Sequence, residues 1–312
     1  MIRYLTYDEI DREKWDECIA HSCNGIIYAY SWYLDIVCEH WEALVEDDYK
    51  SVFPLTVGSK YGINYLYQPY FIQQLGIFSK NELTEEITDK FLQAIPAKYR
   101  FVEINLNTFN KVNQEKYNTI SNLTHELELN NSYEAIYKNY STNTKRNIKK
   151  AQEKKVSIVK SVRPEDIINI FKSTRGKDIS TFKEKDYFIL TRLIYTCIHK
   201  GMAHVFGAYT DKNELCAGAF FVESNRKAIF LFSATNEEAK SNGAMSLLID
   251  SFIKENSQRN IILDFEGSND ENLARFYKSF GSKELIYLHV KKNELPWYIK
   301  KGVDLIKMLR RN

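Results

Sequence analysis

Two carboxylates two residues apart, Asp264 and Glu266, end an apolar run over 261–265 and stand just ahead of Gly267 and Ser268. An apolar run of that length reads as a buried strand. The C-terminal ends of strands are where open α/β sheets place their chemistry. A carboxylate there can take a proton from an amine, directly or through water. Residues two apart on a strand share a face, so either acid could serve as base while the other holds the substrate amine. The competing reading is that Glu266 caps the next helix turn or pairs with Arg275.

A second chemical feature is the segment 236–245, which leads into an apolar-periodic helix over 244–256. Gly243 sits where that helix begins, and a helix N-terminus offers unpaired N–H groups and a favourable dipole to an anion. Glu237 and Glu238 would repel a phosphate that faced them, so a plain turn into the helix is the other reading. Other chemistries find little support. His199 and His204 flank Gly201 with no carboxylate at ligand spacing, which argues against zinc. Cys216 lies in an apolar strand and reads as core. There is no GxGxxG, P-loop or GxSxG motif.

The 312 residues that must position these groups are 44% hydrophobic and 27% charged, ordinary for a soluble globular chain and long enough for two domains. No apolar run approaches the ~18 residues of a membrane span. The N-terminus lacks a signal-peptide pattern, and the expected compartment is the cytoplasm. The five cysteines, Cys18, Cys23, Cys38, Cys197 and Cys216, are odd in number without CxxC and read as reduced. Charge is uneven. Residues 1–125 carry 11 Lys and Arg against 18 Asp and Glu; 138–160 carry eight basic residues and one acid, Glu153; 291–312 carry seven against Glu294 and Asp304. Such runs signal a polyanionic partner only if the cations share a face.

The pattern of elements is duplicated. Strands at 42–46, 51–57 and 63–67, a loop at 68–81, a helix at 82–94 and a strand at 101–106 recur as strands at 203–209, 215–223 and 228–233, a loop, a helix at 244–256 and a strand at 261–265. Pro54 and Gly218 lie 164 residues apart, and Glu103 and Glu266 lie 163 apart. Helical stretches precede each set, at 8–20 in the first and at 164–175 and 185–200 in the second, where Pro164 suits a helix start. Between the sets, Ser132 caps one short helix and Thr142 or Asn143 a second that runs to Lys155. Ile148 and Ala151 should face its body while Lys145, Lys149 and Lys150 face out. No Gly/Ser/Pro linker separates the halves, so the expectation is two α/β lobes packed tightly. The aromatic string from Tyr61 to Phe71 should supply part of a cleft between them.

At this point the chain resembles the GNAT acyltransferase superfamily, and more closely its tandem form, the Fem-type aminoacyltransferases of peptidoglycan bridges. The likeness is carried by Asp264-Phe-Glu-Gly-Ser, by Asn269 with Phe276-Tyr-Lys-Ser-Phe-Gly281, similar to an FKxxFG element, by the basic helix Ser141-Thr-Asn-Thr-Lys-Arg-Asn-Ile-Lys-Lys-Ala, and by Gln73-Gln-Leu-Gly76. It spans roughly residues 1–290.

The resemblance implies an α/β fold of two GNAT-like lobes with a cleft between them: a degenerate first lobe, 1–131, a working lobe, 132–290, and a basic amphipathic tail, 291–312, able to touch a membrane surface. It implies N-acyl transfer to a small-molecule or peptide amine, from acyl-CoA as co-substrate or from aminoacyl-tRNA, with no metal. Glu266 or Asp264 would be the base. Tyr277, four residues before Gly281 as in the Y-x-x-x-G of GNAT enzymes, would protonate the leaving group. The donor would rest on Ser233, Lys240, Ser241, Asn242, Gly243 and Ala244. Lys240 and Gly243 match the family's [QR]-x-x-G-x-[GA] pattern, whereas Met245 departs from its last small position. The departures leave room for an inactive ligand- or partner-binding protein.

Overall fold

The computed structural model describes residues 1–60, 62–179, 181–267 and 269–296. Most of the basic tail, together with Tyr61 and Ser268, lies outside the described residues. The chain divides into two compact units. The first holds Met1–Asn122 and the residues from Tyr287; the second holds Leu123–Ile286.

The first unit runs β1 (Ile2–Leu5), α1 (Arg12–His21), α2 (Ser31–Val37), β2 (Glu42–Glu46), β3 (Ser51–Leu55), β4 (Val57–Lys60), β5 (Ile63–Leu66), β6 (Phe78–Ser79), α3 (Glu85–Gln93) and β7 (Phe101–Asn105). β8 (Thr119–Glu128) leads the chain into the second unit. There follow α4 (Tyr133–Lys138), α5 (Thr142–Glu153), β9 (Ser157–Lys160), α6 (Pro164–Ser173), α7 (Glu184–His199), β10 (Ala203–Tyr209), β11 (Leu215–Ser224), β12 (Lys227–Thr235), α8 (Glu237–Asn242), α9 (Ala244–Asn256), β13 (Ile262–Asp264) and α10 (Glu271–Lys278). β14 (Lys283–Asn293) takes the chain back to the first.

Both units use one pairing scheme. In the second, β9, β10, β11 and β12 are successively antiparallel, β12 and β13 are parallel, and β13 is antiparallel to β8. In the first, β1, β2 and β3 are antiparallel, β4 and β5 are antiparallel, β5 and β7 are parallel, and β7 is antiparallel to β14. The expected strand over 51–57 is interrupted at Thr56. This buried residue bonds Tyr67 in both directions, with its hydroxyl donating to the Tyr67 carbonyl and its own carbonyl accepting from the Tyr67 N–H. β3 therefore takes β6 as partner while β4 takes β5.

Local chemistry sets the helix ends. The start of α5 is capped by Ser141, whose hydroxyl accepts from Thr144 N at 3.1 Å, rather than by Thr142 or Asn143. Thr144, Ile148 and Ala151 are buried on its inner face, and Arg146, Lys149 and Lys150 are exposed. The stretch expected to be a loop before α9 is the helix α8. Asn236 caps it through Ala239 N at 2.9 Å, and Glu237 and Glu238 occupy its first turn, where acids favour the dipole. In the core of the second unit α9 lies on the sheet, with Phe252 stacked on Phe221 at 3.9 Å and edge-on to Phe206 at 5.8 Å. Full burial of such a ring stabilises by about 1.5–3 kcal/mol.

Candidate active site

β13 follows β12 only over Lys227–Ile229. Beyond that point β12 continues to Thr235 and the chain after Asp264 turns away, because Glu266 adopts a left-handed backbone with φ 51°. A cleft of about 830 Å³ opens at the divergence. Phe230, Ser233, Ala234 and Thr235 of β12 form one wall, with Gly243, Met245 and Ser246 at the start of α9, Phe276 and Tyr277 of α10, Asn147 of α5, Ser173 at the end of α6, and Thr174, Arg175 and Asp178 after it. No described strand pairs with β12 on this side beyond Ile229, so its edge presents backbone donors and acceptors to the cleft.

Tyr277 is held by its ring. It stacks on Phe265 at 5.1 Å and meets Phe230 edge-on at 6.3 Å. Burial, with the negative charges of Glu266 and Asp270, raises its phenol above the ordinary value, so it stays an O–H donor at neutral pH. Glu266 is half-buried, and withdrawal of its carboxyl group from water raises it well above the usual carboxylate range. The cap of α10 is Asp270, which accepts from Asn272 and Leu273 N, rather than Glu266.

Asp264 is placed differently from what strand alternation implies. It is 1% exposed, and its Oδ1 accepts from the Thr124 hydroxyl at 2.7 Å and from Glu266 N at 2.9 Å. Its Oδ2 lies 3.1 Å from Lys227 Nζ, which also binds Glu126. Both oxygens are committed to the scaffold. The left-handed turn at Glu266 breaks the shared strand face, and Asp264 holds that turn through the Glu266 amide.

Of the six donor-anchoring residues named from sequence, Ser233, Lys240 and Gly243 line the cleft. Lys240 pairs with Glu237 at 2.6 Å. Ser241 is exposed and bonds Glu238 O within α8. Asn242 is buried and its Oδ1 accepts from Ala244 N at 2.9 Å. That bond removes one of the orphan donors of α9, and the next two residues, Met245 and Ser246, line the cleft. Gly243 has a backbone reason for being glycine. Its φ is +81°, and a Cβ would stand 2.4 Å from the Asn147 carbonyl oxygen.

Sequence reading passed over Arg175 and Asp178, which pair weakly at 3.9 Å, and Asn147. The only local signal was a Ser-Thr-Arg-Gly stretch between two helices. It also missed His125, on β8. This side chain is fully buried and neither ring nitrogen has a hydrogen-bond partner; the ring lies 6.0 Å from that of Tyr277. Burial, then the charge of Lys278, lowers its pKa. No group of His, Cys, Asp and Glu among the described residues is arranged to hold a metal.

No family profile and no curated protein matches the chain. Solved structures do. FemX superposes with a TM-score of 0.67 over 95% of this chain and 98% of its own, at 11% identity. L-PGS from Bacillus licheniformis gives 0.52 over 96% of both chains at 10% identity. A conserved protein of unknown function from Bacteroides thetaiotaomicron gives 0.53 over 94% and 100%, at 9%. The architecture is therefore the mixed α/β, two-lobe GNAT/Fem fold. No described helix is long and apolar enough to cross a membrane.

Proposed function

We propose that the protein is an N-acyltransferase whose reaction takes place in the cleft between β12 and β13. The observation that carries this reading is the open edge of β12 beside Tyr277 and the start of α9. An acyl carbonyl lying along that edge meets backbone N–H groups suited to a tetrahedral oxyanion. In the proposed step Glu266 takes a proton from the attacking amine, the new C–N bond forms, the bond from the acyl carbon to the leaving oxygen or sulfur breaks with its electron pair on that atom, and Tyr277 protonates that atom and regains its proton from solvent. Asp264 acts as a positioning residue, through the Glu266 backbone.

Two donors remain distinct in their demands, acyl-CoA and aminoacyl-tRNA. Electrostatics favour the second. Lys240, at the α8–α9 corner, is engaged by Glu237, which leaves Arg175, 3.9 Å from Asp178, as the less committed cation of the cleft wall. Helix α5, whose Asn147 lines the cleft, carries exposed Arg146, Lys149 and Lys150 on the same helix.

The test is single-turnover acyl transfer from both donor classes across a salt series. An aminoacyl-tRNA reaction should weaken steeply with salt, and Arg146→Gln with Lys149→Gln should flatten that slope. A salt-insensitive reaction untouched by these changes would assign acyl-CoA. If neither donor binds the folded protein by calorimetry, the chain is a binding protein on an acyltransferase fold.

A further inference from the structure

The wall of the cleft carries more apolar surface than the proposed reaction itself uses. Phe171 of α6, Phe230 of β12, Met245 of α9, and Leu273 and Phe276 of α10 all line it. Phe276 and Tyr277 lie three and four residues after Leu273, so the three share one face of α10. Leu273 is 45% exposed, and Phe171, Met245 and Phe276 are half-buried. The rings are fixed from behind. Phe171 lies 5.0 Å from Phe232, and Phe276 meets Phe280 edge-on at 5.4 Å. The charged residues of the wall are matched against each other, Glu237 with Lys240 at 2.6 Å and Arg175 with Asp178 at 3.9 Å. A charged group placed among the apolar side chains would leave water without a counterion, whereas an apolar group gains by leaving water.

Position decides which part of a substrate meets these side chains. The rings of Phe230 and Phe276 lie 6.3 and 5.9 Å from that of Tyr277, the proton donor to the leaving atom in the proposed step. The acyl carbon is bonded to that atom, so the group it carries lies beside Tyr277. The nucleotide and phosphates of either carrier are polar and belong with the polar arc of the cleft, Asn147, Lys240 and Ser246. We propose that the transferred group is bulky and apolar, an aminoacyl or acyl group with a branched or aromatic side chain seated against Leu273, Met245 and the three phenylalanines. This inference rests on the acyltransfer reading and adds the identity of the group transferred. The bonds made and broken are those of the proposed step: acyl carbon to amine nitrogen forms, and acyl carbon to carrier oxygen or sulfur breaks. The apolar side chain itself does not react. Each methylene it buries should tighten donor binding about 4-fold.

Calorimetry on the full chain tests this without knowledge of the acceptor. The probes are one tRNA body carrying glycine, alanine, leucine, phenylalanine, lysine or glutamate through a stable amide link, and the CoA thioesters of acetate, hexanoate, phenylacetate and succinate. Within the carrier that binds, the leucyl and phenylalanyl forms, or the hexanoyl and phenylacetyl forms, should bind at least about 10-fold tighter than the glycyl or acetyl form. The charged forms should gain nothing over glycyl or acetyl. Leu273→Glu sets a carboxylate at the third position of α10, where an acid suits the helix dipole, so the variant should fold. It should lower the ratio of phenylalanyl to glycyl affinity, or of phenylacetyl to acetyl, by at least about 10-fold. A general loss of stability would not move that ratio. Met245→Ala should lower it less, with the same sign. Donors whose affinity ignores the acyl group, or is best when it is small or charged, overturn this inference and leave the acyltransfer reading standing. A preference untouched by both substitutions overturns the assignment to this wall. Binding of neither carrier overturns this inference together with the reading it rests on.

Discussion

The two units share a pairing scheme and differ in what fills the wedge where their parallel strands part. In the first, β5 meets β7 only at Leu66 and Val102, and the chain itself enters the gap. Leu75 forms a parallel bridge to Leu106, and its N–H donates to Asn105 O at 2.9 Å. Amide side chains staple the intruding segment. Asn105 N donates to Gln68 Oε1, Asn105 Nδ2 to Gln73 O, Thr108 N to Gln74 Oε1, and Asn107 Nδ2 to Leu75 O. Gly76 belongs here for geometric reasons, with φ +94° and a Cβ position 2.0 Å from Asn110 Oδ1. In the second unit no described segment enters the corresponding wedge, which is the cleft. A duplicated fold thus keeps one gap closed with its own backbone and the other open, with side-chain amides stapling the first and the Tyr277 phenol lining the second.

The contrast can be broken most severely at Glu266. Glu266→Gln should lower turnover by roughly 10²–10⁴, the range for a positioned base, and should also raise the melting temperature. The sign follows from its pKa, which is higher folded than unfolded. The native state prefers the neutral form, so stability is fully present below about pH 4.3 and is lost as pH rises through the folded value. Rate against pH should show an acid limb well above the ordinary carboxylate range, absent in the variant. A variant that is less stable and still active would sink the assignment.

Lys227→Met comes next. It leaves Glu126 and Asp264 buried beside each other without their shared cation, and breaking such a pair typically costs about 3–5 kcal/mol. Denaturant titration measures this. A near-neutral result would mean that the carboxylates hold a proton between them. In the first unit, Asn107→Ala should cost about 1–3 kcal/mol by unpairing the buried Leu75 carbonyl, with donor affinity in the other unit unchanged. Altered donor affinity would show that the filled wedge does more than stabilise. The smallest effect is expected at His125. Its folded pKa is depressed, so its contribution is present above about pH 6.5 and lost as pH falls below that value. His125→Phe should flatten this part of the stability profile, readable as melting temperature between about pH 7 and 5.

Local residue chemistry made some of this legible in advance. Pro164 begins α6, Ser132 caps α4, and Ile148 and Ala151 face inward on α5, because capping, dihedral restriction and helical period act within a few residues. The constant offset between the halves revealed the repeated strand order for the same reason, since strands and turns announce themselves locally. The helix α8 was legible too, in Asn236 followed by two glutamates, but a motif match read it as a loop.

What the sequence alone determined, then, is the repeated run of central strands and helices and the order in which they come, while β1, α2, β6, β8, β9, α8 and β14 were not read from it. Tertiary structure decided how differently the two carboxylates are held. Strand alternation places Asp264 and Glu266 alike; Thr124 and Lys227, far off in sequence, commit the first, and a left-handed turn redirects the second. It also brought Asn147 and Arg175 to the cleft beside Tyr277, and set the Asn147 carbonyl against Gly243, which gives that glycine a packing reason that the sequence did not show. These outcomes depend on pairings across many residues, whose geometry is set by the whole sheet rather than by neighbours in the chain.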